Sequence, residues 1–168
     1  VGHQLDVPPH YYQRACDCIA EMGVKLAQVM WRKLLPADLA KADDSLVEVA
    51  YNFLVERDYG LALALCELCD IPAIKNACLE SEYYLKINKA IALKGLEKDC
   101  EMKNLLDAVD WSVLAEKFQL AYSVLNEDWE SAYKLMLKIG GKGDLTKQCY
   151  REWPLFRWFR KTDAFKKA

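Results

Sequence analysis

Cys66-Glu67-Leu68-Cys69, with Cys78 further on, has the spacing at which thiolates can begin a tetrahedral zinc site, because zinc needs three or four soft ligands gathered by short spacers. Both thiols also fit the apolar stripe of a helix, and no histidine stands near enough to complete four ligands. Packed thiols and no metal are therefore expected. Cys16 and Cys18 fall on different faces of a helix and are weaker still as ligands. His3 and His10 are the two histidines, both close to the N-terminal end, which removes most Ser-His-Asp and Cys-His schemes. Gly140-Gly141-Lys142-Gly143-Asp144 could offer amides and an ammonium group to a phosphate. It lacks the Walker spacing, the Ser or Thr after the lysine and a preceding strand, so it reads as a helix stop and loop. Glu80 with Glu82, and Glu127 with Asp128, read as solvated helix ends. No catalytic residue and no cofactor are expected, and the chain reads as non-enzymatic.

The segment from Tyr150 to Lys161 carries the other candidate chemistry. Arginine and lysine neutralise phosphates and exposed aromatics stack on unpaired bases, so Arg157, Arg160 and Lys161 among Trp153, Phe156, Trp158 and Phe159 could serve nucleic-acid binding. The preferred reading is a cap over the last hydrophobic face, with Trp153, Phe156 and Phe159 inward and Arg157, Arg160 and Lys161 outward.

The elements that position these residues are helical. Only 7 Gly and 5 Pro occur in 168 residues, too few for the turns of a sandwich or barrel, and 53% hydrophobic residues supply a core for one domain spanning 1–168. Net charge is −2, which gives no global reason to expect a nucleic-acid partner. From Lys142 onward eight basic residues face three acidic ones, so an acidic array of about −7 runs into a basic, aromatic tail. Seven cysteines, an odd number, fit a reduced compartment and a cytoplasmic location. No apolar run reaches membrane-spanning length. Both ends read as those of a fragment of a longer protein.

Periodicity predicts a long N-terminal helix over 9–35, three helical hairpins over 45–139 and a capping segment over 144–168. The first hairpin turns at Asp58-Tyr59, the second near Glu97 to Asp99 and the third at Asp128-Trp129, with Gly140 closing the last helix. An acid, an aromatic and an Ala one turn later suit a tight bend between close-packed antiparallel helices. The expected fold is all-α, a right-handed stack of about three hairpins.

From about residue 46 to 139 the pattern resembles the tetratricopeptide repeat, a helical pair of about 34 residues with a small residue in the first helix and an Ala in the second. Leu46, Val49, Ala50, Phe53, Tyr59, Ala62 and Cys66 sit at matching positions in the first pair. In the second, Asn88, Ala90, Leu93, Leu106 and Val109 match while Met102 replaces the Ala. In the third, Leu120, Ala121, Trp129, Ala132 and Met136 match if the turn is one residue shorter. The resemblance implies a groove lined by the first helix of each pair, with a peptide or protein partner. Tyr51, Asn52, Glu56, Lys86, Asn88, Lys89 and Lys117 are the expected lining, lying on first helices away from the core stripe. Asn88 leads, because the family often uses an Asn near this position to grip a ligand backbone. The rival readings are nucleic-acid binding by the basic tail, an accessory domain of a larger enzyme, and self-association.

Overall fold

Three helix-to-helix turns share one backbone geometry, and they organise the chain. The computed structural model describes residues 47–69, 79–141 and 143–167; the expected helix over 9–35 and the residues Cys16, Cys18, Cys78, His3 and His10 lie outside them. Helical residues 47–55 (α1) lead into α2 (Tyr59–Cys69), α3 (Leu79–Gly95) into α4 (Asp99–Asp107), and α5 (Glu116–Leu125) into α6 (Trp129–Ile139). At each join the residue with left-handed φ is not glycine: Arg57 at 65°, Glu97 at 60° and Glu127 at 61°. Around it the same two hydrogen bonds close the helix. Asp58 N–H reaches Phe53 O and Arg57 N–H reaches Leu54 O; Lys98 reaches Leu93 O and Glu97 reaches Lys94 O; Asp128 reaches Ser123 O and Glu127 reaches Val124 O. This is the Schellman closure, which satisfies carbonyls that a helix end leaves orphaned.

The equality of the turns corrects one expectation. The third turn is no shorter than the others, so Ala50, Ala90 and Leu120 occupy equivalent places seven residues before the left-handed residue. Leu120 and Ala121 are both fully buried, which is why either could be aligned by pattern. A further feature stands just ahead of the third pair's first helix. Residues Trp111–Val113 form a 3-10 turn capped by Asp110, and α5 starts at Glu116.

Among the described residues helices and turns make the whole fold, with no strand. The helix α3 is central, packing against α2, α4 and α5, and Ile87, Ala90, Ile91, Ala92 and Leu93 are all buried. A helix surrounded this way loses the one-sided stripe that a surface helix shows. Its partners keep theirs: Ala50 and Leu54 in α1, Met102 and Leu106 in α4, and Phe118, Ala121 and Leu125 in α5 face the core.

After α6 ends at Gly140 (φ 67°), α7 (Lys147–Glu152) is followed by two 3-10 turns, Pro154–Arg157 and Phe159–Lys161, and by α8 (Asp163–Lys166). Pro154, Leu155, Phe156 and Phe159 are wholly buried. The first 3-10 turn packs on α3 and α5, and α8 returns to α6. The tail therefore lies along the first helices of the pairs and does more than cover the last one.

Candidate functional site

A recess of about 580 Å³ opens between α1, α3 and α7. Tyr51 on α1, Tyr84 and Asn88 on α3 and Trp153 at the end of α7 form its walls, and Glu48, Asp144, Thr146, Gln148, Cys149 and Glu152 border it. The positions follow from local structure. Thr146 caps α7 by accepting from Cys149 N–H at 3.3 Å, which turns Cys149 and Glu152 toward α1. Trp153 follows the last turn of α7, and its indole meets the Tyr84 ring at 6.3 Å and the Phe156 ring edge-on at 5.6 Å. Tyr84 in turn packs edge-on against Phe118 at 5.2 Å, so the wall is anchored in the core through α5.

Two of the seven residues expected to line a groove, Tyr51 and Asn88, come together here. Burial pushes the Tyr51 phenol above its ordinary pKa, and the negative charge of Glu152 adds to the effect. Asn88 is buried at 3% exposure, and its amide donates to Val47 O at 3.5 Å, bridging α3 to α1. The other five lie elsewhere. Asn52 and Glu56 are exposed on α1 and in its turn. Lys86 pairs with Glu82 at 2.7 Å and lies over the Tyr83 ring. Lys117 lies over the rings of Tyr84 and Phe118, and Lys89 is half-buried on α3.

The tail's cations divide. Arg157, expected outward, turns in: its guanidinium donates to Tyr59 Oη at 2.6 Å and to Leu54 O and Val55 O at 3.2 Å each. Arg160, also expected outward, donates to Tyr150 O at 3.0 Å and Trp153 O at 3.2 Å, satisfying carbonyls at the end of α7. An arginine fork matches carbonyl groups at a helix C-terminus, where the dipole also favours positive charge. Lys161 is exposed, and Trp153, Phe156 and Phe159 are buried, as expected.

Sequence reasoning missed Trp153, Tyr84 and Glu152 as recess residues, because their meeting depends on the tail folding back across α1 and α3. One signal was present: Thr146 is a capping residue directly before a short helix. It missed Lys94 as well. That ammonium, with 9% of its side chain exposed, reaches Leu125 O at 3.3 Å, Glu127 Oε1 at 2.7 Å and the face of Trp158.

A second recess of about 510 Å³ lies beside the Trp111–Val113 turn, between α5 and α6, bordered by Tyr122 and Lys134. Trp111 stacks on Tyr122 there, with its indole N–H held by Leu106 O at 2.7 Å. Among the described residues no group of three or more His, Cys, Asp or Glu is placed to hold a metal ion. None of the described helices is long and apolar enough to cross a membrane. Among the described residues the fold is thus all-α, helices joined by short turns with no strand. Comparisons with protein-family models, with curated proteins and with solved structures found no match.

Proposed function

We propose that the chain is a non-enzymatic protein-interaction module, a right-handed stack of tetratricopeptide-like hairpins that binds a peptide of a partner protein in the recess between α1, α3 and α7. The observation that carries the reading is that recess, about 580 Å³ with Tyr51, Tyr84 and Trp153 in its walls. Specific peptide sites are concave, apolar in their walls and fixed in register by a few polar groups, and Asn88 and Thr146 supply such groups here. Three turns of equal geometry at Arg57, Glu97 and Glu127 support the repeat reading. The thiols of Cys100 and Cys149, outside any disulfide, fit a reducing, cytoplasmic setting.

The recess also favours this reading over nucleic acid, since Arg157 and Arg160 spend their guanidinium groups on the protein's own oxygens. A peptide-display library selected on the full chain tests the proposal. Selected peptides are expected to bind the wild type and to lose binding to Gln148→Trp, whose exposed side chain would fill the mouth without touching the core. Recovery of no peptide, or of peptides indifferent to Gln148→Trp, would sink it.

A further inference from the structure

Three carboxylates from three separate segments, Glu48 on α1, Asp144 ahead of α7 and Glu152 on α7, border the recess, and all three are exposed. None of the described lysines or arginines borders it. Three cations on neighbouring elements lie against other groups, and Arg151 on α7 is exposed outside the recess lining. Arg160 holds the carbonyls of Tyr150 and Trp153, Lys117 lies on the Tyr84 and Phe118 rings, and the Lys147 stem runs against Gly141. Gln148 Nε2 donates to both oxygens of Glu152, at 3.1 and 3.0 Å, a neutral donor that steadies the carboxylate without cancelling its charge. Burial first and then the charge of Glu152 raise the Tyr51 pKa, against a smaller opposing effect of Arg160.

We infer that the recess takes a lysine or arginine side chain of a partner peptide, its aliphatic stem along Tyr51 and Trp153 and its cation facing Glu48, Asp144 and Glu152. The inference rests on the interaction reading and adds the chemistry of the occupant. Aromatic walls suit a cation that brings an apolar stem, since ring faces attract positive charge while the stem buries carbon. Carboxylates at a rim steer an oppositely charged partner and exclude an acidic one. A bare metal ion is not the occupant, because the carboxylates sit on separate segments and form no ligating group among the described residues.

The test probes the full chain with an immobilised peptide library in which one central position is fixed in turn as Lys, Arg, Ala, Leu or Glu. Lys and Arg peptides are expected to bind roughly tenfold or more tightly than their Ala counterparts and to weaken with added salt, as partly exposed charge pairs do. The Glu48→Gln/Glu152→Gln variant, changed at two exposed positions, is expected to fold normally by circular dichroism and to lose the Lys and Arg preference. Peptides that bind equally well with Ala, Leu or Glu at that position and are still blocked by Gln148→Trp would overturn the cationic occupant and leave the interaction module standing. No binding at all would overturn both. A salt-sensitive dimer seen by light scattering and abolished by Lys166→Glu/Lys167→Glu would name the basic tail of a second copy as occupant, and would overturn the partner peptide.

Discussion

Arg157 donates to the hydroxyl of Tyr59 at 2.6 Å across 98 residues of chain, and its guanidinium also lies over the same ring, 5.9 Å from the centroid. Two further bonds to Leu54 O and Val55 O cap the end of α1. Tyr59 begins α2, so this one side chain fastens the tail to both sides of the first turn. Hydrogen bonds from charged donors contribute about 1.5–3 kcal/mol when partly buried. Arg157→Ala is expected to lose about 2–4 kcal/mol in urea unfolding. Arg157→Lys should lose most of the same amount, because an ammonium cannot hold three oxygens in the fork geometry. The exposed Lys161→Ala should stay within about 0.5 kcal/mol of wild type. A loss for Arg157→Lys as small as that of Lys161→Ala would show that the clasp contributes little.

Tyr59 also explains a glycine. A Cβ at Gly95 would stand 2.5 Å from the Tyr59 ring, closer than any side chain tolerates. Gly95 ends α3, and on helix propensity alone an Ala there would gain up to about 1 kcal/mol. Overpacking typically costs about 1–3 kcal/mol, and here the displaced ring would also leave Arg157. Gly95→Ala is therefore expected to destabilise by about 1–2 kcal/mol, and less in a Tyr59→Ala background where the ring is gone. Thermal or urea unfolding of the two backgrounds decides it; a stabilised Gly95→Ala in wild type would refute the crowding.

The left-handed turn residues give a contrast. Left-handed φ costs a non-glycine residue about 1–2 kcal/mol, part of which glycine returns through its greater freedom when unfolded. Among the described residues the Glu97 side chain has no hydrogen bond or ion pair, and its backbone bonds survive the change, so Glu97→Gly is expected to stabilise by about 0.5 kcal/mol. Glu127 differs, since its carboxylate pairs with the almost buried Lys94. Removing one partner of such a pair leaves a charge poorly compensated, and Glu127→Gly is expected to be neutral or destabilising. Equal gains for both variants would mean that Lys94 draws its stability from Leu125 O and Trp158 alone.

These turns also mark how far the sequence could be read. Asp58-Tyr59 and Asp128-Trp129 were legible because an acid that caps a helix and a large aromatic stand side by side in each. The middle turn adopts the same backbone with Lys98, which makes no side-chain cap, and with Asp99 in the aromatic's place, so only its hydrogen bonds reveal the kinship. The helix stop at Gly140 was a local signal and was legible for that reason. The destination of Arg157 and Arg160 was not. Their partners are backbone carbonyls, and a carbonyl carries no sequence signature; a basic residue bound for one looks the same as a basic residue bound for solvent. The recess was half legible, through Tyr51 and Asn88 on the first helices, while Trp153 and Glu152 reach it only because the tail crosses α1 and α3.

The cap of α6 supplies a pH dependence. Asp128 Oδ1 accepts from Ser131 N–H at 3.1 Å, and the carboxylate lies below its usual pKa because of hydrogen bonds from the Ser131 hydroxyl first and the Ser131 backbone second. A carboxylate depressed in the folded state contributes stability that is present above its unfolded pKa, about 3.9, and is lost as pH falls through the lower folded value. The group is exposed, so solvent screening keeps the effect small. Asp128→Ala is expected to cost about 1 kcal/mol at neutral pH, in the range for helix caps, and the difference from wild type should shrink below about pH 4. Asp128→Asn keeps an oxygen acceptor without the charge, so it should retain most of the cap and lose the acid dependence. Urea midpoints of the three proteins measured between about pH 3 and 7 decide the matter; a gap between wild type and Asp128→Ala that stays constant down to the acid end would show that the carboxylate's charge plays no part in closing the third turn.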